Sequence, residues 1–262
     1  AAQTELAAKS AVDRVILTVK TFDLEAAGMA IARGIDAPTP VLALQNGLGI
    51  EARLAASLTS GGWPVAERQV VRGVNTIPAT FLGPGRVRLA GDGEVVLGRS
   101  GASDGGFASL LGGAGVRVRL VDSIDREVWK KALVNAAINP VTADHGLENG
   151  ALVRDPWRGQ ALGLLHEARA VAEAEGFPFA AVDAEGELFR VVRATARNRS
   201  SMLQDLDAGR PTEVDAISGA LLEIGRGHGL RLPNTERAVA RIRTRVRERA
   251  AGSPPRAPVT DY

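Results

Sequence analysis

Between Val15 and Gly49 the chain runs VILTVKTFDLEAAGMAIARGIDAPTPVLALQNGLG. VILTV, residues 15–19, is an uninterrupted apolar and β-branched run of strand length, and VLALQ, residues 41–45, is a second. Between them DLEAAGMAIARG, residues 23–34, spaces its apolar side chains at helical intervals. Strand, helix, strand in that order predicts an α/β domain. NGLG then leads into a helix near Ile50 to Ser57.

Beyond this unit the pattern changes to short strands and turns. ERQVVRGVNTIPATFL, GRVRLAG and GEVVLG are joined by Gly-Pro-Gly and Gly-Asp-Gly turn signals, which predicts a meander closing the edge of the sheet. A short helix around Phe107 to Leu111 and a strand over 117–120 complete the first half. The glycines of LGGAGVRV feed a strand and read as a turn. From Ser123 onward the sequence is helical almost throughout, with breaks expected near Pro140, 149–156, 176–178, 207–211 and 227–234. The expected organisation is an α/β domain over 1–122, a helical domain over 123–251 and a Pro-rich disordered tail over 252–262.

Composition narrows the function. The 262 residues are 45% hydrophobic and 24% charged, an ordinary soluble balance, and a formal charge of only +2 argues against a nucleic-acid partner. ERAVARIRTRVRERA, 236–250, interleaves Glu, Ala, Val and Ile with its arginines and reads as an amphipathic helix. Without cysteine there is neither a disulfide framework nor a thiolate metal site, and the three histidines are scattered, so no metal is expected. His228, in GRGHG, reads as a helix C-cap. No apolar run approaches the roughly 20 residues of a membrane helix, and the N-terminal residues lack the apolar core of a signal peptide, so a cytoplasmic protein is expected.

Of 32 basic residues, 28 are Arg and four are Lys, at 9, 20, 130 and 131. Lysine is the compact cation that can lose its proton, so its survival in an arginine-rich chain directs attention to those positions. Lys131 opens a series. In WKKALVNAAINPVTADHG, residues 129–146, Lys131, Asn135 and Asn139 recur every four residues. Steps of four drift only about 40° on a helix, so the three share one stripe of an otherwise apolar segment. A buried amide without partners costs about 1–3 kcal/mol, so something must satisfy them. Two readings are open: core asparagines capping neighbouring helices with Lys131 reaching water, or a cleft for a small polar substrate, to which Pro140 adds freed carbonyls by breaking the helix. A second polar set lies in RNRSSMLQDLDAGRPTEVDAISG, where Asn198, Ser201 and Glu213 stand near helix boundaries and Thr212 and Glu213 are placed as a first helical turn.

VILTVKTFD, VLALQNGLG, RGVNTIPAT, VWKKALVNAAINPVTADHGLENG and SSMLQDLDAGRPTEVD together, in this order, resemble the ketopantoate reductase family, the NADPH-dependent 2-dehydropantoate 2-reductases of pantothenate synthesis. The resemblance implies an α/β Rossmann-like N-terminal domain, truncated at its start, followed by an all-α C-terminal domain of the 6-phosphogluconate dehydrogenase-like type. It implies that Lys131 is the proton donor and that Asn135, Asn139, Asn149 and Ser201 hold a 2-keto acid, with Asn198 helping. It further implies that Lys20 and Asn46 reach NADPH at the carboxyl ends of sheet strands, that Ala79 lies against the cofactor, and that Glu213 contacts cofactor or substrate from the helical side. A homodimer through the helical domain is compatible with it. The family's glycine-rich turn after its first strand has no counterpart ahead of Val15, so the sequence is expected to be a fragment, the other reading being a natural truncation that cannot hold NADPH tightly, and an exposed sheet edge or apolar face is expected. The alternatives are a reductase of another 2-keto acid, or a non-catalytic helical interaction module.

Overall fold

The computed structural model describes residues 11–89, 91–99 and 106–252, so the expected tail lies outside the described residues except for Gly252. The chain divides into two compact units, Ala1–Val128 and Trp129–Tyr262.

The first unit runs β1 (Val15–Leu17), α1 (Leu24–Gly34), β2 (Val41–Ala43), α2 (Ile50–Ser60), β3 (Val70–Asn75), β4 (Ala79–Gly83), β5 (Arg86–Leu89), β6 (Val95–Gly98), α3 (Phe107–Gly113) and β7 (Val118–Val121). Five strands form one sheet in the order β1-β2-β3-β6-β7. β1, β2 and β3 are parallel, with Val15 opposite Val41 and Val41 opposite Val70. β6 runs antiparallel to β3, and β7 is parallel to β6. The continuous apolar runs have a simple cause: β2 is covered on both faces. Val41 and Ala43 join Leu24, Ile31, Ile50, Leu54 and Leu58 on one side, while Leu42 joins Val71, Leu97, Phe107 and Leu111 on the other. α1 and α2 approach closely at Gly28, where an added Cβ would lie 2.7 Å from Ser57 Cβ.

The expected meander is not what forms. β4 and β5 leave the main sheet and make a separate antiparallel ladder closed by Pro84 and Gly85, with Ala79 opposite Leu89. The glycine turns were correctly placed, but a turn signal fixes only that two strands reverse, not which sheet they enter. The ladder's Leu82, Val87 and Leu89 are exposed. β1 lies at one edge of the main sheet, and its central residue Ile16 is exposed.

In the second unit, α4 (Ile124–His145), which begins ahead of the division, is followed by α5 (Trp157–Ala174), α6 (Ala181–Ala194), α7 (Ser201–Asp207), α8 (Ala220–Gly227) and α9 (Pro233–Ala250). Ala143, Met202, Leu203, Val214, Val239 and Ile242 pack into one buried cluster. The first turn of α9 is held by one carboxylate: Glu167 accepts from the backbone N–H groups of Asn234 and Thr235, at 2.8 Å each, and from both their side chains.

Two helix-boundary expectations are corrected. α4 passes through Pro140 without a break. The missing N–H deprives the carbonyl of Ala136, one turn earlier, and the carbonyls of Ile138 and Asn139 instead lie 2.8 and 3.2 Å from the Thr142 hydroxyl. The helix after Pro211 starts at Val214, so Thr212 and Glu213 precede it, and it opens with a π turn over Asp215–Gly219. Glu213 supplies the first acceptor, taking the N–H of Ile217 at 3.1 Å.

Candidate active site

In the first unit the parallel pairing of β1 and β2 puts their carboxyl ends side by side. Lys20 lies just past β1, ahead of a single 3-10 turn (Thr21–Asp23), and Asn46 lies just past β2; both are partly buried. Gln45 joins the two ends by donating from Nε2 to the carbonyl of Leu17 at 2.8 Å. Ala79 is exposed as the first residue of β4, on the separate ladder rather than on a strand of the main sheet.

A residue that the sequence reading passed over anchors the same end. Arg72, on β3, is buried, and its guanidinium donates to the carbonyls of Gln45 at 2.8 Å, Gly47 at 3.1 Å and Ala43 at 3.3 Å. Its Nε lies 3.5 Å from Glu51 on α2. Burial pushes the guanidinium below its ordinary value, opposed by the charges of Glu51 and Asp125. Arginine's intrinsic basicity keeps it charged.

In the second unit Lys131, Asn135 and Asn139 all lie on α4, and burial deepens along the stripe: Lys131 and Asn135 are partly exposed, Asn139 is buried. The adjacent Lys130 points elsewhere, with its ammonium 3.3 Å from Glu187 on α6. Two loops are laid together beside this helix. The N–H of Asn149 donates to the carbonyl of Asn198, and that of Gly150 to Ala196, both at 2.9 Å, with a bridge between Glu148 and Arg199. Asn149 is therefore brought next to Asn198. Its Nδ2 donates to Thr195 Oγ1 at 2.9 Å, while its Oδ1 is buried with no partner among the described residues.

α7 is tied to α4 through Ser200, not Ser201. Ser200 caps α7 by accepting the N–H of Leu203 at 3.2 Å, and its hydroxyl lies 2.7 Å from that of Thr142, three residues after Asn139. Ser201, the first residue of the helix, is left exposed. Glu213 is buried at the head of the next helix, and its neighbour Val214 packs with Ala143, Met202 and Leu203. The local structure thus joins the turn of α4 that follows Asn139 to the start of α7 through Thr142, and groups Asn149 with Asn198. Thr195 and Ser200 belong to the same constellation, and nothing in the sequence distinguished them from ordinary helix-end residues.

Comparison with known proteins gives this arrangement a context. Residues 1–102 match the family model described as Ketopantoate reductase PanE/ApbA, and residues 123–246 match Ketopantoate reductase PanE/ApbA C terminal. The chain is 38% identical to the 2-dehydropantoate 2-reductase of Archaeoglobus fulgidus over 223 residues, covering 83% of this chain and 71% of that one. Among solved structures, the PanE/ApbA family ketopantoate reductase of Ralstonia eutropha JMP134 superposes with a TM-score of 0.79 at 29% identity, over 91% of this chain and 77% of that one. D-mandelate dehydrogenase with NADH and anilino(oxo)acetate has a similar fold, with a TM-score of 0.81 at 24% identity over 92% and 77% of the two chains. With both family models matched in order and a curated relative this similar over most of its length, the chain belongs to the ketopantoate reductase family.

Proposed function

We propose that the protein reduces 2-dehydropantoate to pantoate with NADPH, a step toward pantothenate, and that Lys131 is the proton donor. The observation that carries this is the α4 stripe, on which an amine and two amides share one face of a helix whose intervening residues Ala132, Leu133, Val134, Ala136, Ala137 and Ile138 are buried. Reduction of a 2-keto acid places negative charge on the carbonyl oxygen, and an ammonium in reach can neutralise it and then release a proton. A guanidinium can do only the first. Asn135 and Asn139, with Asn149, Asn198 and Ser201, would hold the carboxylate and hydroxyl of the substrate. The buried Oδ1 of Asn149, without a partner among the described residues, suits a hydroxyl donor.

In the first unit, Lys20 and Asn46 fit a dinucleotide, since ligands of parallel sheets bind outside the carboxyl ends of the strands. The nicotinamide supplies the hydride when bound. Glu213 and Ala79 are assigned to the same cofactor through the family resemblance. The identity of the substrate's side chain is not read by these residues, which address the keto-carboxylate end common to all 2-keto acids.

The test is steady-state turnover with 2-dehydropantoate, beside branched and aromatic 2-keto acids, using NADPH and NADH. Lys131→Ala is expected to lower kcat by about 10²–10⁴ without loss of fold. Near-normal turnover by that variant rejects the assignment. Asn149→Ala and Ser201→Ala are expected to raise KM for the keto acid as well as to lower kcat.

A further inference from the structure

Arg72 occupies the third strand of a five-stranded sheet, and its side chain is only 5% exposed. A cation placed there pays a desolvation cost that an apolar residue would avoid. What it gains is a set of acceptors that do not lie in its own strand. Ala43 ends β2; Gln45 and Gly47 lie in the turn that follows, and the carbonyls of all three converge on one guanidinium. The turn is held from two further directions, by Gln45 bonded to the end of β1 and by Glu51 at the start of α2 facing Arg72 Nε. Gly47 and Gly49 both adopt positive φ, at 102° and 68°, so the backbone path around Asn46 is one that ordinary residues resist.

We propose that Arg72 is a positioning residue for the nicotinamide cofactor: by clamping the carbonyls on either side of Asn46, it fixes the peptide planes that aim the Asn46 side chain. This rests on Asn46 being a cofactor contact. Arg72 itself is too buried to touch a ligand through its guanidinium, so its influence passes through the turn. Without the clamp, the carbonyls of Gln45 and Gly47 lose their buried donor and turn toward water, which rotates the peptide ahead of Asn46 and the one after Gly47 and so releases the segment between them.

The full chain and its R72M, R72K and N46A variants are compared by calorimetric titration with NADPH and by initial rates with each substrate varied in turn. R72M is expected to raise KM for the cofactor about tenfold, while kcat and KM for the keto acid change less than about threefold. R72K, whose single ammonium cannot span three carbonyls in a fork, is expected to fall between R72M and the parent. The R72K/N46A double variant is expected to bind cofactor no more weakly than N46A alone, because both changes remove the same contact. If R72M does not fold, R72K and the double variant carry the test. An unchanged cofactor KM in R72K, a uniform loss in kcat and both KM values, or additive losses in the double variant overturn the proposal. If N46A leaves cofactor KM unchanged, the assignment of Asn46 fails instead; if N46A raises it and R72K does not, Asn46 stands and the role of Arg72 falls.

Discussion

Lys130 and Lys131 are neighbours in sequence, yet one helical step of about 100° gives them different surroundings. Lys130 faces Glu187, and Lys131 heads the stripe that continues to Asn135 and Asn139. That stripe was legible because a four-residue interval is a helix property independent of the rest of the fold. The division of labour between Ser200 and Ser201 was not legible, since either serine of the pair could cap. The structure assigns the cap to Ser200, so Ser200→Ala is expected to destabilise the protein by about 1–2 kcal/mol in denaturant unfolding, while Ser201→Ala is expected to be nearly neutral there. Arg72 was hidden for a related reason. A basic residue in a strand reads as solvent-facing, and the carbonyls that hold it lie 25–29 residues earlier in the chain.

At the scale of elements, β1, α1, β2 and α2 were readable because each buries a pattern set by its own periodicity. The β4–β5 ladder was misassigned because alternation and turns specify a hairpin without naming its neighbours. Pro140 was read as a breaker, but a well-packed helix tolerates the loss of one hydrogen bond. The α1–α2 contact offers a sharper test of packing against propensity. Ala exceeds Gly by about 1 kcal/mol in a helix interior, whereas overpacking a tight contact costs about 1–3 kcal/mol. The group that a new methyl would meet is Ser57 Cβ, attached directly to the backbone of α2 and unable to rotate aside. Gly28→Ala is therefore expected to lower the melting temperature, despite the helix propensity it adds.

For the molecule as a whole, arginine's near-monopoly of the positive charge makes carboxylate pairs the main electrostatic ties. Asp144 on α4, whose side chain is 9% exposed, pairs with Arg241 and Arg245 on α9. Its loss leaves Arg245, which is itself mostly buried, with the half-exposed Glu248 at 3.5 Å, and Asp144→Ala is expected to cost about 2 kcal/mol by denaturant unfolding. Glu187 governs part of the response to acid. A bidentate hydrogen bond from Arg190, with the charge of Lys130, holds its carboxyl below the ordinary value of 4.5. The stabilisation is complete above that value and is lost as pH falls through the lowered one. Melting curves between pH 6 and about 3 are therefore expected to fall less steeply for Glu187→Gln than for the parent.

The scarcity of primary amines has a practical corollary. Four lysines are few enough for each side chain to be followed separately, and two of them, Lys20 and Lys131, lie one in each unit as reporters of occupancy. Acylation with a small reagent, read by mass spectrometry after peptide cleavage, should be slowed at residue 20 by nicotinamide nucleotide and at residue 131 by a keto acid. Shielding of both residues by a single ligand, or of neither by its own, would show that the two amines do not divide recognition in this way.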